Sequence, residues 1–270
     1  MRIDDSIRKC VGFVTVDDGK GGYRPIGTYF YTALPSEAKT RSYAVTARHV
    51  IDGARSEGNL FVFIRLNVEG GGLRYYRCEC DKWIGHEDPA VDLVVYSMGI
   101  GAGNDHLAFP ADRLFDRSLF EEFEIGIGHD VFVTGLFRHH HGEQKNIPIV
   151  RVGTIAALDE EKVQTTVYLR DAYLIECRSI GGLSGSPVFL QVESELMLKV
   201  RTAQTLPTHP PGTYLLGVMH GHFDSDEAEV DSGGEDVEKT KKEIKVNTGI
   251  AIVTPATKLG ELLAQEDVRG

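Results

Sequence analysis

Short runs of β-branched and aromatic residues, each closed by Gly, Pro, Asp or Asn, recur along almost the whole chain. This rhythm limits the possible fold more than any other feature. The runs CVGFVTV, GTYFYTAL, SYAVTARHVI, NLFVFIRLNV, LRYYRCEC and DLVVYSM precede a glycine-rich break, GIGAGND, at 99–105. A second set follows: DVFVTGLF, PIVRVGTIAAL, TTVYLR, YLIECR, SPVFLQV, YLLGVMHGHF and TGIAIVTP. Strong helical periodicity is nearly absent. About six strands before the break and about seven after it predict an all-β chain of two antiparallel barrels or sandwiches, joined by residues 100–125. The end of the chain differs. Thr254 and Pro255 read as the N-cap and first position of a short helix, whose Leu259, Leu262 and Leu263 fall on one face and are expected to pack on the second barrel.

A chain of 270 residues can bury a sizeable core without covalent staples. Its four cysteines, Cys10, Cys78, Cys80 and Cys177, are few and unevenly spread, and they read as free thiols in a reducing compartment. The first residues, MRIDDSIRKCVGFVTV, carry two early acids and lack the apolar run of a secretory signal. No segment approaches the ~18 apolar residues of a membrane-spanning helix. A cytoplasmic protein with no membrane partner is the expectation. A net charge of −11 argues against nucleic acid, which needs clustered Lys and Arg. Much of the negative charge lies in 224–245, a stretch with nine acids, four bases and hardly any large apolar side chain, which reads as a solvated, mobile loop. Its acids miss the calcium-loop template, because Ala228 and Glu229 occupy positions that need a ligand and a glycine.

The segment GGLSGSPVF, 181–189, sets Ser184 among glycines just before an apolar strand. A serine hydroxyl is protonated at neutral pH, so as a nucleophile it needs a base, and the base needs an orienting acceptor. YAVTARHVI supplies His49, placed where the chain leaves a strand and begins a turn, with Val45 and Val50 in the core. EDPAVDLVVYSM supplies Asp92, directly before the apolar Leu93, Val94 and Val95, where a carboxylate requires a partner. Asp88 precedes Pro89 and reads as a turn acid instead. Gly181 and Gly182 can take backbone angles closed to other residues, so that the N–H groups of Gly182 and Ser184 converge as a developing oxyanion requires. The run His139, His140, His141 reads as a polar loop rather than a metal site, because neighbours on an extended chain point in opposite directions. Neither a metal nor a cofactor is expected.

In the chain order His, Asp, Ser, the segments VTARHV, VDLVV and GGLSGSPVF resemble the signature segments of the chymotrypsin-fold (trypsin-like) serine peptidases. IGTYFYTAL, PIVRVGTIAAL, LLGVMHGHF and TGIAIVTP are similar to that family's supporting strands, so the resemblance runs from about Cys10 to Leu263. The style GGxSGSPVF resembles bacterial glutamyl-endopeptidase and HtrA-like members more than digestive trypsins. The resemblance implies two antiparallel six-stranded β-barrels, the first over 1–110 with His49 and Asp92, the second over 111–270 with Ser184, together forming one peptidase domain. It further implies Ser184 as nucleophile, His49 as general base and then acid, Asp92 as its orienter, and Gly182 and Ser184 N–H as the oxyanion hole. The implied activity is serine endopeptidase action on a protein or peptide substrate. The alternative is a non-catalytic or partner-activated binding module that retains the fold.

The chain departs from the family in places. Leu183 stands where many secreted members carry the aspartate that pairs with a newly released N-terminus. Arg178 stands six residues before Ser184, at the position that in trypsin-like enzymes lies at the base of the primary pocket; the resemblance implies that a buried guanidinium there favours an acidic substrate side chain, whereas one turned toward Glu176 or solvent does not. His220, Gly221 and His222 are expected to pair their backbone with an extended substrate, His222 narrowing the pocket entrance. The loop 224–245 is the expected docking point for any regulatory partner.

Overall fold

Several strands of this chain are apolar on every residue rather than on alternate ones, and the architecture shows why. The structure, a computed structural model, describes residues 3–35, 40–99, 101–165, 168–178, 181–192, 209–227, 244–265 and 268, with 224–227 and 244–246 described by their backbone alone. Within these, the first half forms β1 (Val11–Asp17), β2 (Tyr23–Leu34), β3 (Arg41–Thr46), β4 (Phe61–Asn67), β5 (Leu73–Glu79), β6 (Ile84–Gly85) and β7 (Val94–Ser97), joined by the short β8 (Phe109–Pro110). They make an eight-stranded sheet in the order β5-β4-β1-β2-β3-β7-β6, with β8 parallel to β2. The second half forms β9 (Asp130–Gly135), β10 (Ile149–Ala157), β13 (Tyr173–Glu176), β14 (Pro187–Val192), β15 (Gly212–Glu227) and β16 (Ile244–Pro255). These close a barrel in the order β10-β13-β16-β15-β14-β9, while β11 (Val163–Gln164) and β12 (Leu169–Arg170) form a separate ribbon.

The chain is therefore all-β and chymotrypsin-like, with a closed six-stranded second barrel. The first unit is a curled half-barrel sheet whose end strands β5 and β6 do not pair, rather than a closed six-stranded barrel. Among the described residues, four short α-helices accompany the sheets: α1 (Asp5–Lys9), α2 (Arg48–Ser56), α3 (Arg117–Glu122) and α4 (Ala256–Ala264).

Successive side chains on a strand point to opposite faces. In β9, Val131 and Val133 enter the second barrel's interior while Phe132 joins a different cluster, with Phe30, Val45, Leu93 and Val95 from the first sheet. In the same way β14 sends Val188 and Leu190 inward and Phe189 outward, and β15 sends Tyr214 and Leu216 inward and Leu215 outward. On the facing sheet, Tyr29 and Tyr31 line the first unit's interior while Phe30 reaches the shared cluster. Strands with both faces buried read as continuous apolar runs. The two sheets thus meet along an apolar seam, and each fully buried side chain there stabilises the fold by roughly 1.5–3 kcal/mol.

Leu259, Leu262 and Leu263 of α4 enter this seam cluster rather than resting on the second barrel alone. The helix starts one residue later than the sequence suggests, with Pro255 as its N-cap. The His86 ring Nε2 lies 3.1 Å from Glu261 Oε2 and Tyr43 donates to the Val268 carbonyl, so the end of the chain is tied back to the first sheet.

The four cysteines are free and buried. The acidic stretch 224–245 is not loop throughout: its ends extend β15 and β16, pairing Asp224 with Asn247 through Glu227 with Ile244. Backbone hydrogen bonding between the paired strands continues past the apolar residues, which composition alone does not reveal. Its centre, 228–243, lies outside the described residues.

Candidate functional site at the seam

His49 sits on α2 rather than in a turn. The helix buries Val50, Ile51 and Ala54 against the first sheet, which leaves His49 facing outward over the seam. Its N-cap residue, Ala47, makes no side-chain capping bond. Asp92 fills that role from nearby: Asp92 Oδ1 accepts from the His49 backbone N–H at 2.9 Å, and the Asp92 carbonyl accepts from Arg48 N–H at 3.2 Å. The other carboxylate oxygen, Oδ2, lies 2.7 Å from His49 Nδ1. One aspartate thus fixes both the backbone and the ring of His49. Asp88 is spent on its own turn, where Oδ1 accepts from Ala90 N–H at 2.8 Å.

The second barrel brings Ser184 to the same place on a turn ahead of β14. Gly182 has φ +109 and Gly185 φ +82, both in the region that favours glycine. A Cβ on Gly185 would lie 2.2 Å from the Thr28 carbonyl and 2.3 Å from Thr46 Oγ1, so the close approach of the two sheets also requires glycine there. Gly181 does not share the unusual angle. Thr28, fully buried on β2, pins the turn from the facing sheet: its N–H donates to Ser184 O at 2.9 Å and its hydroxyl to Gly182 O at 2.8 Å. The same hydroxyl accepts from Leu136 N–H at 2.9 Å. Gly185 N–H donates to Met219 O and Met219 N–H to Ser186 O, both at 2.8 Å, joining the turn to β15. Leu183 is fully buried in the barrel core, so apolar packing anchors the position where an ion pair stands in many secreted peptidases. Thr28 was not singled out in the sequence, because a threonine inside a strand looks like any other β-former until its partner across the seam is known.

The Ser184 hydroxyl donates to the His220 carbonyl at 3.2 Å rather than to the His49 ring. His220 lies at a bulge in β15, where the register shifts between Met219 and Gly221. A bulge re-aims a side chain. The His220 ring accordingly turns across the seam, and its Nδ1 hydrogen-bonds the same Asp92 Oδ2 that meets His49. The two rings stand edge to face, 5.2 Å apart. Arg170, buried on β12, places Nη1 3.3 Å from His220 Nδ1, while its Nε has no partner among the described residues.

Asp92 is only 6% exposed. Burial alone pushes its pKa up, but hydrogen bonds from His220 and His49, with the charge of both rings, outweigh that and hold it well below the usual carboxylate range. The carboxylate is therefore ionised. The serine turn with its fixed backbone lies at the same seam as the His49–Asp92 pair, its hydroxyl bonded to the His220 carbonyl.

The remaining sequence candidates are placed differently. Arg178 is exposed, on the outward side of an alternation in which Ile175 and Cys177 are buried and Glu176 and Arg178 are not. It is not the buried pocket-base charge considered from the sequence. Gly221 pairs with Ile252 and His222 with Ala251 inside the barrel ladder, both half-buried. No helix of the described residues is long and apolar enough to cross a membrane.

No protein-family model matches the chain, and no curated protein sequence matches it. Solved structures do. The apo protease domain of MamO from Magnetospirillum magneticum aligns over 96% of this chain and 98% of its own, at 13% identity and a TM-score of 0.54. Two structures of Rv3671c, one described as the M. tuberculosis H37Rv Ser343Ala mutant in an inactive form and one as the protease in an inactive form, each align over 96% of this chain. They cover 88% and 89% of their own chains, at 16% identity and TM-scores of 0.46 and 0.47. At such identities the likeness to MamO speaks for the fold, and with the barrel and half-barrel it gives this chain a chymotrypsin-like architecture.

Proposed function

We propose that the chain is a serine endopeptidase acting through Ser184, His49 and Asp92. The observation that carries this reading is the double hold of Asp92 on His49, through ring and backbone, beside a serine turn clamped by Thr28. With Nδ1–H given to Asp92, His49 keeps Nε2 as its free basic nitrogen. The mechanism requires the Ser184 side chain to rotate away from the His220 carbonyl so that Oγ turns toward that nitrogen. Oγ then attacks the substrate carbonyl as His49 takes its proton, and the tetrahedral oxyanion is received by the N–H groups of Gly182 and Ser184. His49 passes the proton to the leaving amine, and water activated by the same ring hydrolyses the acyl-enzyme. Asp92 stays ionised throughout and stabilises the imidazolium that forms.

The His220 carbonyl, freed when Oγ rotates, becomes an acceptor for an N–H of an extended peptide, with Gly221 and His222 continuing the edge. A mixed peptide library incubated with the protein and read by mass spectrometry tests the activity. New termini are expected with the wild type and not with Ser184→Ala; equal products from both would discard the proposal.

One observation favours a second reading, the hydrogen bond from Ser184 to the His220 carbonyl in place of one to His49. A partner-activated or non-catalytic binding module on the same fold is consistent with a serine held in that orientation. Such a module would leave the library uncut.

A further inference from the structure

His220 Nδ1 has one hydrogen-bonding valence and two polar neighbours, Asp92 Oδ2 on one side and Arg170 Nη1 on the other. A protonated Nδ1 donates to Asp92 but then meets an Arg170 N–H head on. An unprotonated Nδ1 accepts from Arg170 but then turns its lone pair on the carboxylate. No tautomer satisfies both contacts. His49 Nδ1 approaches the same Oδ2 from the other ring.

We infer that His49, Asp92 and His220 form a binding site for a divalent transition-metal ion of the zinc or cobalt type. One ligand atom from each residue lies within 4.8 Å of the others. Two imidazole nitrogens and one carboxylate oxygen are a donor set that such ions take, with a fourth position left open. Metal–ligand distances of about 2.0–2.2 Å need donor atoms roughly 3.3 Å apart in a tetrahedral arrangement, so the 2.7 Å contact of His49 Nδ1 with Oδ2 must open by roughly 0.6 Å, and the shorter His220 contact by more. The approach is asymmetric in a useful way. Asp92 is anchored through Oδ1 by the His49 backbone N–H, while the His49 side chain is 44% exposed and the His220 side chain 19%, so the two rings can part to admit an ion. Arg170 opposes binding, because its guanidinium competes for the His220 lone pair and repels a cation.

Occupation of this site has a chemical consequence that rests on the proposed peptidase activity. A neutral imidazole ligated through Nδ1 carries its proton on Nε2. His49 then has no lone pair left for the Ser184 proton, and Asp92 no longer receives the Nδ1–H. The metal is a reversible inhibitor that works by occupying the base and its orienter, without touching the serine.

The test is titration of the tag-free full chain with Co²⁺ at neutral pH, reading the visible absorption of four-coordinate cobalt. A band that saturates at one ion per chain and is displaced by Zn²⁺ is expected. The band should be lost, with affinity down by more than about 100-fold, in His49→Ala and in His220→Ala. Circular dichroism confirms that each variant is folded, and His220→Asn, which keeps a donor for Asp92 but no imidazole, serves if the alanine variant is not. Arg170→Gln should bind several-fold more tightly than wild type. No saturable band in the wild type, or a band that persists in either folded histidine variant, overturns the site; a band from the run His139, His140, His141 would persist in both. Weaker binding by Arg170→Gln overturns the role given to that residue. In parallel, Zn²⁺ should slow labelling of the wild type by a fluorophosphonate and a chelator should restore it. A chain unlabelled even with chelator refutes the peptidase reading and leaves the cobalt result to stand by itself.

Discussion

The open first sheet and the closed second barrel furnish the site in opposite ways. The sheet delivers a finished pair: His49 and Asp92 are joined by two hydrogen bonds, one to the backbone and one to the ring, and the carboxylate is buried and ionised. The barrel delivers a finished backbone with an unfinished side chain, because the turn around Ser184 is pinned by four backbone or threonine hydrogen bonds while its hydroxyl points to His220. Buried hydrogen-bonded networks fix geometry, since breaking one strands a polar group at a cost of about 1–3 kcal/mol. A half-buried hydroxyl on one rotatable bond has no such constraint. In the proposed mechanism the preformed part is therefore the His49–Asp92 pair, and the adjustable part is the Ser184 hydroxyl.

The sharpest way to break this comparison is Asp92→Asn. The amide holds the ring in the wrong tautomer, and fluorophosphonate inactivation should slow by about 10⁴-fold. The same variant carries a pH signature. Because the folded-state pKa of Asp92 lies below its unfolded value of about 3.9, the stability that its charge contributes is fully present above that value and lost as pH falls through the folded one. The stability gap between wild type and Asp92→Asn, measured by denaturant unfolding, should be constant above about pH 5 and narrow below about pH 4.

Next in size is Gly185→Ala, which asks a side chain to occupy φ +82 and to overlap the Thr28 carbonyl. A loss of more than about 4 kcal/mol is expected, because the seam cannot part locally. A loss under 1 kcal/mol would show that the turn is not clamped as described.

Thr28→Val then separates the clamp from packing. The shape is kept, but the Gly182 carbonyl and Leu136 N–H lose their buried partner, for a cost of about 1–3 kcal/mol and a slower labelling rate. Labelling that keeps its wild-type rate would mean the backbone of the serine turn is held elsewhere. The smallest effect belongs to Asp88→Ala, which removes only an exposed turn contact and should cost within about 1 kcal/mol and leave labelling unchanged.

Much of this was legible in the residues. The alternation of apolar runs and turn residues pointed to two β units, and the doubly buried strands β9, β14 and β15 explain why some runs showed no alternation at all. His49, Asp92 and Ser184 stood out because each is a reactive group beside a buried strand. What stayed hidden depends on contacts across the seam. Thr28 and Arg170 look like ordinary members of the runs GTYFYTAL and TTVYLR until the two sheets are brought together. His220 looked like a substrate-strand residue because a one-residue bulge, invisible in composition, aims its ring at Asp92. Arg178 was considered for a pocket it does not line from a buried position, since the strand's period of two carries it outward. The helical setting of His49 was hidden by the polar character of RHVIDGARS, whose three buried residues fall on one narrow face.

The central claim is that Ser184 can turn from the His220 carbonyl and be activated by His49. Intact-mass and peptide-mapping analysis of the chain after treatment with a fluorophosphonate tests it most directly. The account predicts one adduct per chain, located on Ser184 and absent from His49→Ala. A folded wild type that takes up no adduct, or one that is labelled equally well without His49, would contradict it.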